Sequence, residues 1–155
     1  MNESFMSQTT QDAPPEATEL SLQEALLYAT ELHRNNQLEG AETLYQRILE
    51  AAPGQPDALH FLGLIRFQRG RPEEGIAFIL HAIEQLPGHA DFHNNLGNIR
   101  TSIGQLAEGR DSYLRAIALE PQRADFHNNL GVLYRADGDL DKAEAEYRQA
   151  VELDP

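Results

Sequence analysis

The sequence predicts an all-α fold, a superhelical solenoid built from four helix-turn-helix units. Three observations carry that prediction. Pro53, Pro87, Pro121 and Pro155 stand in strict register at intervals of 34 residues, a period that suits one pair of helices per unit. Gly70, Gly104 and Gly138 recur with the same period, with Asn36 in the first copy. Small and aromatic residues alternate on that register at helical spacing.

Phased on the prolines, the units run 22–55, 56–89, 90–123 and 124–155. Ser21 followed by Glu24 predicts a capping box that opens the first helix. In the first helix of each unit, Tyr28-Ala29, Leu62-Gly63, Leu96-Gly97 and Leu130-Gly131 share one place. Glycine inside a helix gives up about 1 kcal/mol against alanine, so close approach of a second helix is the expected gain. Gly70, Gly104, Gly138 and Asn36 fall where that helix should end, and Gly and Asn accept the left-handed conformation of a helix C-terminus. The second helix follows from Ala41, Gly75, Gly109 and Ala143, then Tyr45, Ile79, Tyr113 and Tyr147, then Ile48, Ala82, Ala116 and Ala150. These i, i+4, i+7 positions line one face. Each unit thus reads as two antiparallel helices that need neighbours to bury their apolar faces.

The pattern complete in Leu130, Gly131, Tyr134, Gly138, Ala143, Tyr147, Ala150 and Pro155 resembles the tetratricopeptide repeat, over residues 22–155. The resemblance implies a right-handed superhelix. It departs from the family at the early tryptophan, replaced by Ala25, Leu59, His93 and His127, and at the first-helix tyrosine, which is Arg66 and Arg100 in the middle units. Neither change removes the helical reading.

Composition narrows the function. Cysteine is absent, which excludes a disulfide framework and thiol chemistry. Met1 to Leu20 have neither a basic start nor an apolar run, so a secretory signal or a membrane span is not expected and a cytoplasmic location is. The net charge is −13, and Glu3, Asp12, Glu16 and Glu19 leave −9 on the repeats. Nucleic acid and anionic membrane are poor partners for such a surface. Residues 1–20, rich in Ser, Thr, Gln and Pro, are expected to form a flexible leader. Pro155 closes the fourth unit without a further helix to cover it, which suggests either an excerpt of a longer protein or a piece that associates with itself through its end faces.

The resemblance implies that the first helix of each unit lines a concave groove. In units one and two the groove places hold Gln23, Leu26, Leu27, Thr30, His33 and Arg34, then Asp57, His60, Phe61, Leu64, Phe67 and Gln68. In units three and four they hold Asp91, Asn94, Asn95, Asn98, Thr101 and Ser102, then Asp125, Asn128, Asn129, Val132, Arg135 and Ala136. The groove is therefore expected to be apolar toward the N-terminus and amide-rich toward the C-terminus. The duplicated string D-F-H-N-N-L-G, at 91–97 and 125–131, is similar to repeats in the superhelical arm of O-linked N-acetylglucosamine transferases.

An asparagine amide donates and accepts at once, so it can hold the backbone of an extended peptide without reading its side chains. On this reading, replacing Asn95 and Asn129 by alanine weakens a captured peptide and leaves the thermal melt nearly unchanged. The alternative is that the amides are solvated polar residues of duplicated units. Phe61, Leu64 and Phe67 are an apolar anchor for the peptide or, alternatively, packed against the leader or a neighbouring helix. Phe5 and Met6 of the leader are candidate occupants of that anchor.

Other chemistries are not expected. Leu26, Thr30 and Phe61, then His60, Leu64, Asn95, Asp125 and Asn129, provide no basic clamp for a chaperone tail. His60, His93 and His127 recur with the repeat but lack complementary ligands, so no metal site is predicted. Glu73, Glu74, Asp139 and Asp141 sit where acids complement a helix dipole. No phosphate loop or nucleophile elbow is present. Neither catalytic residues nor a cofactor is expected. The resulting expectation is a scaffold that binds an extended peptide or protein partner. The alternatives are the substrate-presenting arm of a larger transferase and a self-assembling module.

Overall fold

A computed structural model describes residues 20–155; the expected leader and its Phe5 and Met6 lie outside the described residues, apart from Leu20. Eight α-helices and no strand make up the described part: α1 Leu22–Arg34, α2 Leu38–Ala51, α3 Pro56–Gln68, α4 Pro72–Gln85, α5 Ala90–Ser102, α6 Leu106–Leu119, α7 Ala124–Asp137 and α8 Leu140–Leu153.

Local chemistry sets the helix ends. Ser21 accepts from the Glu24 amide while the Glu24 carboxylate accepts from the Ser21 amide, completing the capping box. Gln55 caps α3 by accepting from the Ala58 amide at 2.6 Å, and Pro56 occupies the first turn, where a missing N–H costs nothing. Pro72 does the same for α4. Asp139 caps α8 through the Lys142 amide at 3.2 Å. Each even helix then stops two residues before its registered proline. The turns within the pairs are left-handed: Gly70, Gly104 and Gly138 have φ of 75°, 82° and 85°, and Asn36 adopts 59°.

Close approach explains the helix glycines. A methyl group added at Gly63 would lie 2.8 Å from Ile79 and 2.9 Å from the Gly75 carbonyl, and one at Gly75 would lie 2.8 Å from the Gly63 carbonyl. The two helices of this unit therefore cross backbone against backbone. Tyr113 and Tyr147 fill the corresponding space above Gly97 and Gly131.

Cores form between units as well as within them. Ala25, Ala29, Ala41, Leu44, Tyr45 and Ile48 of the first pair share a cluster with Ala58, Leu62 and Ile65 of α3. Leu59, Ile79 and Ala82 do so with Phe92, Leu96 and Ile99 of α5. Phe92 and Phe126 are fully buried, each contributing roughly 1.5–3 kcal/mol by leaving water. Each even helix thus depends on the following odd helix, which is the nearest-neighbour stability of a solenoid. Odd helices also touch one another across units, while even helices do not. The stack accordingly bends with α1, α3, α5 and α7 on the inside.

Candidate functional site

The inner face is where the asparagines and the apolar anchor were expected. Asn95 lies on α5 and its side-chain amide donates to His60 Nε2 on α3 at 2.9 Å. One unit further on, the Asn129 amide donates to Asn94 Oδ1 at 3.0 Å. The two bonds are equivalents, displaced by one 34-residue period. A polar chain runs on from Asn95: Asn98 donates to Asn95 Oδ1 at 3.3 Å, and the Tyr113 hydroxyl of α6 donates to Asn98 Oδ1 at 2.7 Å.

These bonds revise the expected role of the asparagines. Asn94 is buried, and one amide proton of Asn95 and of Asn129 is spent on joining neighbouring units. Asn128 is exposed, and Asn95, Asn98 and Asn129 are half-buried. An asparagine carries two donors and a two-lone-pair acceptor, so Asn129 keeps one N–H and room at its carbonyl for a ligand. The amides of the inner face thus hold the solenoid together. Loss of both asparagines should for that reason lower the melt, contrary to the simpler expectation from sequence.

His60 belongs to the same network. It is 5% exposed and sits between the rings of Phe61, at 5.0 Å, and Phe92, at 4.6 Å. Burial pushes its pKa down to about 4, with the charges of His89 and His33 acting in the same direction and Asp91 opposing them. The neutral ring leaves Nε2 free to accept from Asn95. Phe61 in turn stacks on Tyr45 of α2, centroids 5.6 Å apart and planes 15° apart, and receives the edge of His33 at 5.8 Å. Burial raises the Tyr45 hydroxyl to about 12, so it stays protonated. Leu64 and Phe67 are half-buried and pack against the cluster of Leu59, Ile79 and Phe92. The three anchor residues thus rest on neighbouring helices and keep only part of their surface for a ligand.

Arg135 and the repeated histidines have particular surroundings. Arg135 is exposed and lines a cleft with Leu140, Tyr147 and Val151 of α8. His93 and His127 place Nε2 at 2.8 and 3.0 Å from the carbonyls of Pro87 and Pro121. They clasp the turn preceding their own helix. Sequence reasoning did not find Arg123, whose guanidinium reaches Asp91 at 3.0 Å, Asp125 at 2.8 Å and Glu120 at 3.1 Å and lies 4.2 Å over the Phe126 ring. Its position on the register is that of His89, which stacks on Phe92 at 4.2 Å. That coincidence was the available signal. Among the described residues no group of three His, Asp or Glu side chains is placed to hold a metal ion, and no helix is long and apolar enough to cross a membrane.

Stacked helix pairs with a continuous inner face define a helical-repeat interaction module. Two tetratricopeptide repeat profiles match overlapping stretches, residues 32–99 and 94–155, and the chain belongs to the tetratricopeptide repeat family. Among solved structures it is similar to a crystal structure of MamA at 26% identity and a TM-score of 0.74, over 82% of this chain and 74% of that one. MamA from Desulfovibrio magneticus RS-1 has 18% identity and a TM-score of 0.77, over 86% and 75% of the two chains. A mutant O-GlcNAc transferase from Thermobaculum terrenum has 29% identity and a TM-score of 0.72, over 79% of this chain but 23% of the transferase. No curated protein sequence matches the chain.

Proposed function

We propose that this protein is a non-enzymatic, cytoplasmic scaffold that holds an extended peptide or protein segment along the inner face of its odd helices. The observation that supports this reading most is the half-exposed series of Asn95, Asn98, Asn128 and Asn129 on successive units, beside the partly exposed Phe61, Leu64 and Phe67. Neighbouring helices pack about 8–10 Å apart and an extended chain advances about 3.3 Å per residue. Asparagines on successive units would therefore meet every third peptide residue or so. Each such bond contributes about 1 kcal/mol, and the aromatic end supplies the rest of the affinity. Peptides selected by display on the full chain should bind it, and should lose affinity when Phe61, Asn128 and Asn129 are replaced together by alanine. Equal binding to that variant would refute the reading.

A second reading rests on the similarity to the Thermobaculum terrenum transferase, of which the chain matches about a quarter. In it these repeats present substrate to a catalytic domain of a larger protein. Coding sequence for a nucleotide-sugar transferase beyond Pro155 would establish it, and a stop codon there would eliminate it.

A further inference from the structure

The polar chain on the inner face runs in one direction. The Tyr113 hydroxyl donates to Asn98 Oδ1 at 2.7 Å, the Asn98 amide donates to Asn95 Oδ1 at 3.3 Å, and the Asn95 amide donates to His60 Nε2 at 2.9 Å. Each amide passes on the polarity it receives, because its accepting oxygen and its donating NH2 are the two ends of one planar group. Tyr113 is buried, and burial raises the pKa of its hydroxyl, so the proton that starts the chain stays in place. His60 ends the chain with a lone pair.

The other units lack this chain. Its starting pair, Tyr113 and Asn98, is replaced on the register by Ile79 and Leu64 in unit two and by Tyr147 and Val132 in unit four. Leu64 and Val132 cannot relay a hydrogen bond. In unit one Tyr45 reaches Thr30 at 3.4 Å, but Leu27 stands where Asn95 would continue. Asn129, the counterpart of Asn95, donates to Asn94 and receives no bond from Val132, so its oxygen is not committed in this way.

We infer that Tyr113, on the even helix α6, is a positioning residue for the groove: through Asn98 and Asn95 it makes unit three a donor site, whose ligand atom is a carbonyl oxygen of the bound peptide. The inference rests on the peptide-binding reading of the inner face. Asn95 and Asn98 are half-buried, and each keeps one N–H that the chain does not use while its oxygen already accepts a bond. A peptide carbonyl meets an unused hydrogen there. A peptide N–H has to share an engaged oxygen, and turning the amide to suit it breaks the bonds on both sides, which is costly in a buried network. Asn129 takes either group, so unit three alone selects the polarity of the peptide bond it holds.

The polarity is first read without ligand. In the isotope-labelled chain a coupling across the hydrogen bond should join Asn95 Nδ2 to His60 Nε2, since only an N–H···N bond links two nitrogens. Tyr113→Phe, which keeps the ring over Gly97, should weaken that coupling. Asn98→Asp, which only accepts when ionised, should abolish it by drawing the Asn95 NH2 toward the new carboxylate. No coupling in the unmodified chain, or an unchanged one in either variant, would overturn the proposal. The ligand atom is then read with a display-selected peptide carrying a thioamide at one peptide bond at a time, which weakens the acceptor and strengthens the donor. At the bond whose substitution most perturbs the Asn95 and Asn98 NH2 signals, affinity should fall about fivefold, the weight of one neutral hydrogen bond, and the loss should shrink in Tyr113→Phe. Unchanged or tighter binding there, or a loss undiminished in Tyr113→Phe, would overturn the proposal and leave the peptide-binding reading standing. A peptide that leaves the inner-face signals unmoved overturns both.

Discussion

The side-chain amide of Asn95 donates to His60 Nε2 at 2.9 Å, and one unit later the Asn129 amide donates to Asn94 at 3.0 Å. Each bond ties the first helix of one unit to the first helix of the next. The same row of amides faces the proposed ligand, so binding and stability are coupled at these positions.

The coupling is measurable in the absence of ligand. Asn129→Ala should destabilise the protein by about 1 kcal/mol in urea melts. Combined with Asn94→Ala it should show a coupling energy of about 0.5–1.5 kcal/mol in a double-mutant cycle. Additive losses would mean that the bond does not contribute in solution.

His60 makes stability depend on pH. Its ordinary pKa of 6.5 falls to about 4 in the folded protein, chiefly through burial. Between those values the unfolded chain binds the extra proton, so stability rises with pH across that window. The contribution is complete above pH 6.5 and declines as pH falls toward 4, by up to about 1.4 kcal/mol per pH unit and roughly 3 kcal/mol in all. His60→Asn reproduces the pair seen at Asn94 and Asn129, and should flatten this part of the profile while keeping the bond to Asn95. His33, whose pKa burial also lowers, remains in the variant and leaves a smaller slope. Parallel profiles for the two proteins would show that His60 titrates normally.

Helix crossing is tested at Gly97. A methyl group there would lie 2.6 Å from two ring carbons of Tyr113, so Gly97→Ala should cost about 1–3 kcal/mol through overpacking. Gly88 has nothing within 4 Å of an added methyl group, and Gly88→Ala should stay within about 0.5 kcal/mol of the wild type. Equal melting temperatures for the two variants would refute the close approach.

Asn36 supplies the left-handed turn that glycine supplies in the other units, at φ 59°. Asn36→Gly should melt near the wild type, whereas Asn36→Ala should lose about 1 kcal/mol, since an alanine in this conformation costs about 1–2 kcal/mol. The reverse order would argue against that backbone geometry.

The helix pairs were legible because they depend on local chemistry: Ser21 and Glu24 at a cap, Asn36 standing for glycine, Gly63 against Gly75. The inner face came from the resemblance to the tetratricopeptide repeat, laid on the 34-residue register. The register did not reveal the bonds from Asn95 to His60 and from Asn129 to Asn94, because these depend on the rotation between successive units, which a linear period does not specify. The clasp of His93 on Pro87 and of His127 on Pro121 left a trace, a histidine six residues after proline in both units. Arg123 was missed because two of its three acidic partners, Glu120 and Asp125, lie on either side of it at a turn and the third, Asp91, lies 32 residues earlier on α5.

The central claim is tested most directly by following the side-chain NH2 signals of Asn95, Asn128 and Asn129 in the isotope-labelled chain while a display-selected peptide is added. The account predicts that these signals move together and saturate with the affinity of the peptide. Saturable binding that leaves all three unmoved, while signals of the even helices shift, would contradict it.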